Sequence, residues 1–421
     1  MKITRLLKII GPGQLFASIA IGTSHLVLST RAGAHYGMIF FWIILLIQLL
    51  KYPFFEFGAR YTNATGQTLL KGFHDQGQWA VILFLAVISV NMFAVTGAVG
   101  AVSAGLLGTL FELNGIRMPF LLGGIMSVTV IVLLLGRYAM LDKIIKIVSV
   151  LLFVTVSISF CAALVKGPVQ PVVALPPATD LLKGTGLALL VSLIGFMPTG
   201  LEVTVMHSIW TVENSRTTGL RPTLREALFD FNLGYLFTTF LALMFMTIGA
   251  FTLYGTGQTL EGNSTQFSQK LVAVFSLHIG GWVRPVLALA AFGTIYGTLL
   301  TAWDGFARSF AGGIQIVCSR KNDDGREPSG KLYSVVLTAI GIGGYLLVLQ
   351  FPGGMIKILE AATITVFCTA PVLAFLSLRT IGSPSVPYTH RPGRALFWLA
   401  YTGLAAMTLF TLYYLGDLIL P

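Results

Sequence analysis

Eleven runs of about twenty apolar residues, parted by short polar stretches, leave this chain few folds to choose from. A run of that length crosses the hydrocarbon of a bilayer as a helix, because lipid offers no partner to an unpaired backbone amide. The limits read as 12–33, 37–58, 79–109, 118–136, 143–165, 183–210, 228–254, 271–315, 331–350, 354–379 and 395–418. Two are longer than one simple crossing: 271–315 should divide into an outer segment before Arg284-Pro285 and a span after it, and 79–109 should be tilted. Composition agrees, with 55% hydrophobic and 10% charged residues and a mean hydropathy of +0.83, where a soluble domain carries about 25% charged residues. The expected class is an all-α polytopic membrane protein, one transmembrane domain over 1–421.

A net charge of +11 raises nucleic acid as a partner, but no basic stripe with interleaved aromatics is present. The cations instead alternate between sides. With the N-terminus inside, only Arg31, Arg117, Lys166, Lys183, Lys270, Arg284 and Lys357 fall outside; every other Lys and Arg counts towards the cytoplasm, most densely in Arg320–Lys331 and around Arg216, Arg221 and Arg225. The orientation expected is N-terminus cytoplasmic and C-terminus outside, in a bacterial inner membrane. The run after Lys2, Arg5 and Lys8 contains Gly11-Pro12-Gly13 and lacks a small-residue cleavage site, so no cleavable signal is expected. Cys161, Cys318 and Cys368 have neither metal nor disulfide spacing and read as inert packing thiols.

Two spans are interrupted by residues that disfavour a helix. The first reads Gly22-Thr23-Ser24-His25, the sixth Gly195-Phe196-Met197-Pro198-Thr199-Gly200-Leu201-Glu202. Irregular backbone at membrane depth survives only where it is buried in protein or lines a cavity, and paired interrupted spans point to a carrier's binding site. Five spans precede the proline-bearing stretch Gly167–Asp180 (Pro168, Pro171, Pro176, Pro177) and six follow it. An odd number of spans per unit inverts the second unit, so a five-plus-five inverted repeat is expected over about 10–166 and 180–380, with 395–418 an extra helix.

At the first break, Thr23 and Ser24 either present oxygens to a solute or cap the broken ends, and His25 is ionisable at mid-membrane depth. At the second, Pro198 removes an amide donor, Gly195 and Gly200 ease the distortion, and Glu202 is that span's sole acid. Glu202 can bind a cation, carry a proton or receive an ammonium; the alternative is a salt bridge or hydrogen bond that stabilises the bundle. His207 can ligate metal, relay protons or line the cytoplasmic vestibule. Asn91 and Thr96, beside Ala94, Gly97, Ala98, Ala101 and Gly105, read as a packing face, as does Gly293-x-x-x-Gly297. Asp304 with Arg308, and Glu56 with Arg60, stand four residues apart as helical ion pairs; the former would be an inner gate or anchor. Glu360 and Thr363 reach either the cavity or the membrane boundary. No nucleophile–base pair or phosphate loop is present.

Gly11-Pro12-Gly13, Ala17-Ser18-Ile19-Ala20 and Arg31-Ala32-Gly33-Ala34-His35-Tyr36-Gly37 resemble the first helix and following turn of the NRAMP family of proton-coupled divalent-metal transporters. Met197-Pro198, His207-Ser208 and Asp304-Gly305-Phe306-Ala307-Arg308 are weaker echoes. The resemblance implies the inverted-repeat fold of the leucine transporter, with metal held at both breaks. The departures fall on the chemistry. Where the family reads Asp-Pro-Gly-Asn this chain has Gly22-Thr23-Ser24-His25, and where it reads Met-Pro-His this chain has Met197-Pro198-Thr199. The acid expected on the third helix is also missing from 91–100.

The reading is therefore a secondary transporter importing a divalent transition metal of Mn or Fe type, driven by protons, and a divergent member of that family. The solute would meet Gly22, Thr23, Ser24, His25, Gly195, Met197, Thr199 and Glu202, with His25, Met197 and Glu202 as metal ligands. Glu202, His25 and His207 are the proton carriers, and Pro198, Gly200, Asp304 and Arg308 serve gating or structure. The competing reading keeps the fold and carries an amino acid or similar organic solute, coupled to protons or sodium. Glu202 would then meet the ammonium, and half-helix N-termini the carboxylate. A membrane-embedded metal enzyme using His25, Glu202 and His207 is the third. The partners are the solute and the bilayer, with no nucleic acid and no cofactor; a monomer suffices.

Overall fold

The computed structural model describes residues 11–113, 115–135, 138–170, 181–258, 260, 264–277, 280–281, 284–318, 330–351 and 354–419, and among them every regular element is helical. Lys2, Arg5, Lys8, Pro171, Pro176, Pro177 and most of the Arg320–Lys331 loop lie outside the described residues. In chain order the helices are α1 (Pro12–Ala20), α2 (Thr30–Tyr36, entered through a π-helical turn Ser24–Ser29), α3 (Ile39–Thr65), α4 (Leu69–His74), α5 (Gln78–Leu110), α6 (Met118–Leu135), α7 (Tyr138–Lys166) and α8 (Gly184–Phe196). There follow α9 (Val203–Thr218), α10 (Leu224–Leu253), α11 (Ser264–Ser276), α12 (Arg284–Cys318), α13 (Gly330–Gln350), α14 (Gly354–Ile381) and α15 (Arg394–Ile419). Eight of these, α3, α5, α6, α10, α12, α13, α14 and α15, are long and apolar enough to cross a bilayer.

Each expected run contains helix, and the two expected breaks divide α1 from α2 and α8 from α9. The 271–315 region divides where Arg284-Pro285 indicated, because proline is tolerated in a helix's first turn but not in its middle. Two features were not legible. The second span runs on to Thr65 as a polar helical tail, and α4 fills the connection to α5. Hydropathy marks what the bilayer covers, not where a helix stops. Cys161 and Cys318 are exposed on their helices, correcting the expectation of packed thiols.

Small residues let the first span lie against α10. A side chain on Gly13 would overlap the Asp230 backbone, one on Gly33 the Met246 carbonyl, and one on Gly249 the Thr30 carbonyl. Both halves of the broken span are thus clamped to one continuous helix, which holds the gap between them in place. The entry to α1 is tied down as well: the Gly13 amide donates to Asp230 Oδ2 at 2.8 Å, a buried carboxylate at the positive end of a helix. Asp230→Ala is expected to cost about 1.5–3 kcal/mol, the range for a hydrogen bond to a charged group, read as a lower thermal unfolding midpoint in detergent. At its own start α10 is closed by a capping box between Thr223 and Glu226.

Candidate solute-binding site

The two breaks meet in the core. Ser24 Oγ lies 3.4 Å from the Pro198 carbonyl, and all residues of 21–30 and 195–206 are buried, so neither face of the protein reaches the breaks in this conformation. The local chemistry shows why each helix stops. After Ala20 the chain leaves the α-helix, and the freed Ala20 carbonyl lies 2.6 Å from Ser24 Oγ. Gly22 fits only because it lacks a side chain: a Cβ there would stand 2.5 Å from Thr298 Cγ2 and 2.7 Å from Thr298 Oγ1. That threonine, on α12, donates to the Ser18 carbonyl at 2.8 Å, so the gap of the first span is braced from α12. Thr23 is buried beside it.

His25 faces α10. Its Nε2 lies 2.9 Å from the Thr238 carbonyl, which can only accept, so Nε2 carries a proton. Its Nδ1 lies 2.8 Å from Ser24 Oγ. Both ring nitrogens are thus engaged within the protein.

At the second break α8 ends at Phe196, and Met197, fully buried, begins a non-helical stretch through a cis bond to Pro198. The two glycines do different things from those expected of them. Gly195 is helical and lets α14 approach, since a Cβ would overlap the Thr363 carbonyl; Gly200 makes room for the Glu202 carboxylate folded back over it. Glu202 is buried, and its Oε2 has no hydrogen-bond partner within the chain. An acceptor left bare at full burial is costly, which marks this carboxylate as a group that receives something.

Two residues that the sequence reading did not assign to the site complete it. Lys51, on α3, is 1% exposed, and its ammonium donates to the carbonyls of Ile194 at 3.0 Å, Gly195 at 3.0 Å and Thr199 at 2.9 Å. It had been counted among the cytoplasmic cations. The rule that singles out His25 and Glu202, an ionisable group inside a span, applies equally to Lys51 at its place in 37–58. Asn91, expected on a packing face, lies close to the Glu202 side chain and reaches Thr369 Oγ1 at 3.4 Å.

Other predicted residues lie at the margins. His207, on α9, is buried between Phe16 and Phe231, ring centroids 6.1 and 5.9 Å away, with neither nitrogen hydrogen-bonded. It stands in an aromatic box rather than an open vestibule. Asp304 pairs with Arg308 as expected, at 2.9 and 3.0 Å, and also accepts from Tyr333 at 2.7 Å and Trp210 at 3.4 Å, tying α12 to α13 and α9. Glu56 pairs with Arg60, which further donates to the His390 carbonyl at 3.0 Å. Glu360 accepts from Arg31 at 3.0 Å, closing α14 onto α2, while Thr363 donates to Ser192 at 2.8 Å.

The family profile described as natural resistance-associated macrophage protein-like, Nramp, matches residues 13–417. The chain belongs to the Nramp family. An uncharacterised protein of Pasteurella multocida is 31% identical over 416 residues, 97% of this chain and 92% of its own length. Among solved structures, a manganese transporter of Eremococcus coleocola superposes with a TM-score of 0.70 at 15% identity, covering 97% of this Nramp chain and 86% of that one. MhsT, solved in complex with L-phenylalanine, superposes with a TM-score of 0.59 at 13% identity, covering 95% and 98%. Both likenesses are of fold. An Nramp chain is an integral membrane transporter, and the membrane-enzyme reading falls.

Proposed function

We propose that this Nramp protein is a secondary active transporter that imports a divalent transition metal ion of Mn or Fe type, coupled to protons, with the ion held where the two breaks meet. The observation that carries the reading is the bare, buried carboxylate oxygen of Glu202, in the same gap of irregular backbone as the buried Met197. A thioether with a carboxylate and carbonyls suits soft first-row ions better than calcium. Met197 and Glu202 are the ligands in this reading.

His25 is given the proton instead, because both its nitrogens are already engaged. With Nδ1 bare, the Ser24 hydroxyl donates to it. A proton on Nδ1 makes that atom a donor to Ser24 Oγ, and the hydroxyl hydrogen turns to the carbonyl of Ala20 or Pro198. Protonation would thereby turn the Ser24 hydroxyl from His25 to a carbonyl at one of the two breaks. His207 and Glu202 remain the further carriers. The inverted repeat, the cytoplasmic N-terminus and a bacterial inner membrane belong to the same proposal. They are supported by the placing of one break at the first span of each half and by the distribution of Lys and Arg.

One observation favours the organic-solute reading: Lys51 places a positive charge beside Glu202, so the second break offers a dication little net negative charge. Among the described residues no three His, Cys, Asp or Glu gather as a metal set. Calorimetry on purified protein with Mn²⁺ and a panel of amino acids separates the two. Saturable Mn²⁺ binding is expected. In liposomes, His25→Gln should retain Mn²⁺ binding within a few-fold and lose the acidification that accompanies uptake. An amino acid that binds where Mn²⁺ does not would replace the metal reading with the organic one.

A further inference from the structure

The end of α8 presents backbone oxygens with no amide to meet them, as every helix C-terminus does. Here they do not face water or the solute. The carbonyls of Ile194 and Gly195, with that of Thr199 from the non-helical stretch, close around Lys51 Nζ at 2.9–3.0 Å and take up all three of its N–H donors. The Phe55 ring lies 5.9 Å from the same nitrogen, and Glu202 acts on it electrostatically. A helix C-terminus carries partial negative charge, so the ammonium sits where a free cation would be most favoured. The arrangement is the coordination shell of a small cation, with the cation supplied by a side chain from α3.

We propose that Lys51 is a tethered cation filling a cation site in the gap of the sixth span, and that this site, emptied of the side chain, binds a free ammonium or alkali ion. The inference concerns a different set of oxygens from the solute's and holds whichever solute is carried. It has two consequences. In this conformation the positive charge belongs to the chain itself, so no exchangeable cation is needed to hold α8 to the stretch after it. Lys51 also sets the charge that the solute meets, since it offsets Glu202. It is a positioning and specificity-determining residue that does not itself touch the solute.

The reasoning extends to what the side chain's removal should do. Lys51→Ala leaves three inward-facing carbonyls without donors in a buried gap, which is strongly unfavourable unless something enters to satisfy them. A small cation that binds only the folded state stabilises it by mass action, and the effect saturates with concentration. A cation too large for three converging carbonyls does not.

The test is thermal unfolding of purified protein in detergent, without solute, at constant ionic strength, in chloride salts of ammonium, methylammonium, sodium, potassium and choline. The native chain should show the same midpoint in all five. Lys51→Ala should unfold at a lower temperature and recover several degrees, saturably, in ammonium or another of the small cations but not in choline. Lys51→Met, which keeps the stem and drops the charge, should be destabilised and unresponsive, because its side chain occupies the gap. The proposal is overturned if Lys51→Ala responds equally to choline and the small cations, or folds in none of the salts. It is likewise overturned if Lys51→Met matches the native midpoint, or if the native chain is itself saturably stabilised by a small cation. Because no solute is present, these outcomes are independent of whether Mn²⁺ or an amino acid is the cargo.

Discussion

Glu202→Gln is expected to weaken Mn²⁺ binding about 10- to 100-fold, the equivalent of roughly 1.5–3 kcal/mol for a contact to a charged group. The substitution keeps the shape and the hydrogen-bonding capacity of the side chain and removes only its charge. Lys51 stays satisfied by its three carbonyl acceptors, so the break should keep its geometry and the protein its folded yield. Calorimetry measures the affinity, and size-exclusion chromatography with thermal unfolding measures the fold. Unchanged Mn²⁺ affinity in a folded Glu202→Gln protein would remove the carboxylate from the site. Loss of both affinity and fold would assign Glu202 a structural part instead.

Gly22→Val carries the second large effect. Its Cβ would stand 2.5 Å from Thr298 Cγ2, and threonine is stiff at χ1, so the contact cannot be relieved by a small swing. Either Thr298 gives up its 2.8 Å bond to the Ser18 carbonyl or the first span moves away from α12. Overpacking of this kind costs about 1–3 kcal/mol, but here the displaced backbone is the break itself. Uptake into liposomes should fall about tenfold or more, beyond any loss of protein, since misplacement at a site is felt more strongly than its cost in stability. The double substitution Gly22→Val with Thr298→Ala removes the colliding methyl and hydroxyl and should recover part of the uptake. Strict additivity of the two substitutions would mean that the Gly22–Thr298 contact does not position the break.

The places where sequence reasoning succeeded and failed share a cause. Gly22 through His25 and Met197 through Glu202 were legible because a bilayer penalises irregular backbone wherever it occurs, so a proline or a glycine–hydroxyl run inside an apolar span needs a reason. Lys51 was missed although it carries the same signal, because a cation in an apolar run is readily assigned to the nearer membrane surface, and in the count of positive charges it lent weight to the orientation. Asn91 stood in a ladder of alanines and glycines that does pack, Gly97 lying against the Gly344 carbonyl of α13. Only the turn of α5 that carries Asn91 differs, and no periodicity marks which polar residue of a packing helix meets a carboxylate from another span.

His25 shows the same limit from the other side. Its burial followed from its place in the break; its partners did not. The Thr238 carbonyl that fixes its tautomer lies 213 residues away along the chain, on a helix whose register against the first span is set by Gly13, Gly33, Gly234 and Gly249.

The sequence by itself determined the all-helical membrane class, the two gaps and the family, because each is written in local composition and each answers to the one-dimensional constraint of crossing lipid. Only the tertiary structure decided that the carbonyls of the second gap hold Lys51 rather than the solute, that both nitrogens of His25 are engaged, and that one oxygen of Glu202 is left bare. Those are facts of distance between residues far apart in the chain. They depend on how closely helices approach, which the small residues permit but which packing alone selects.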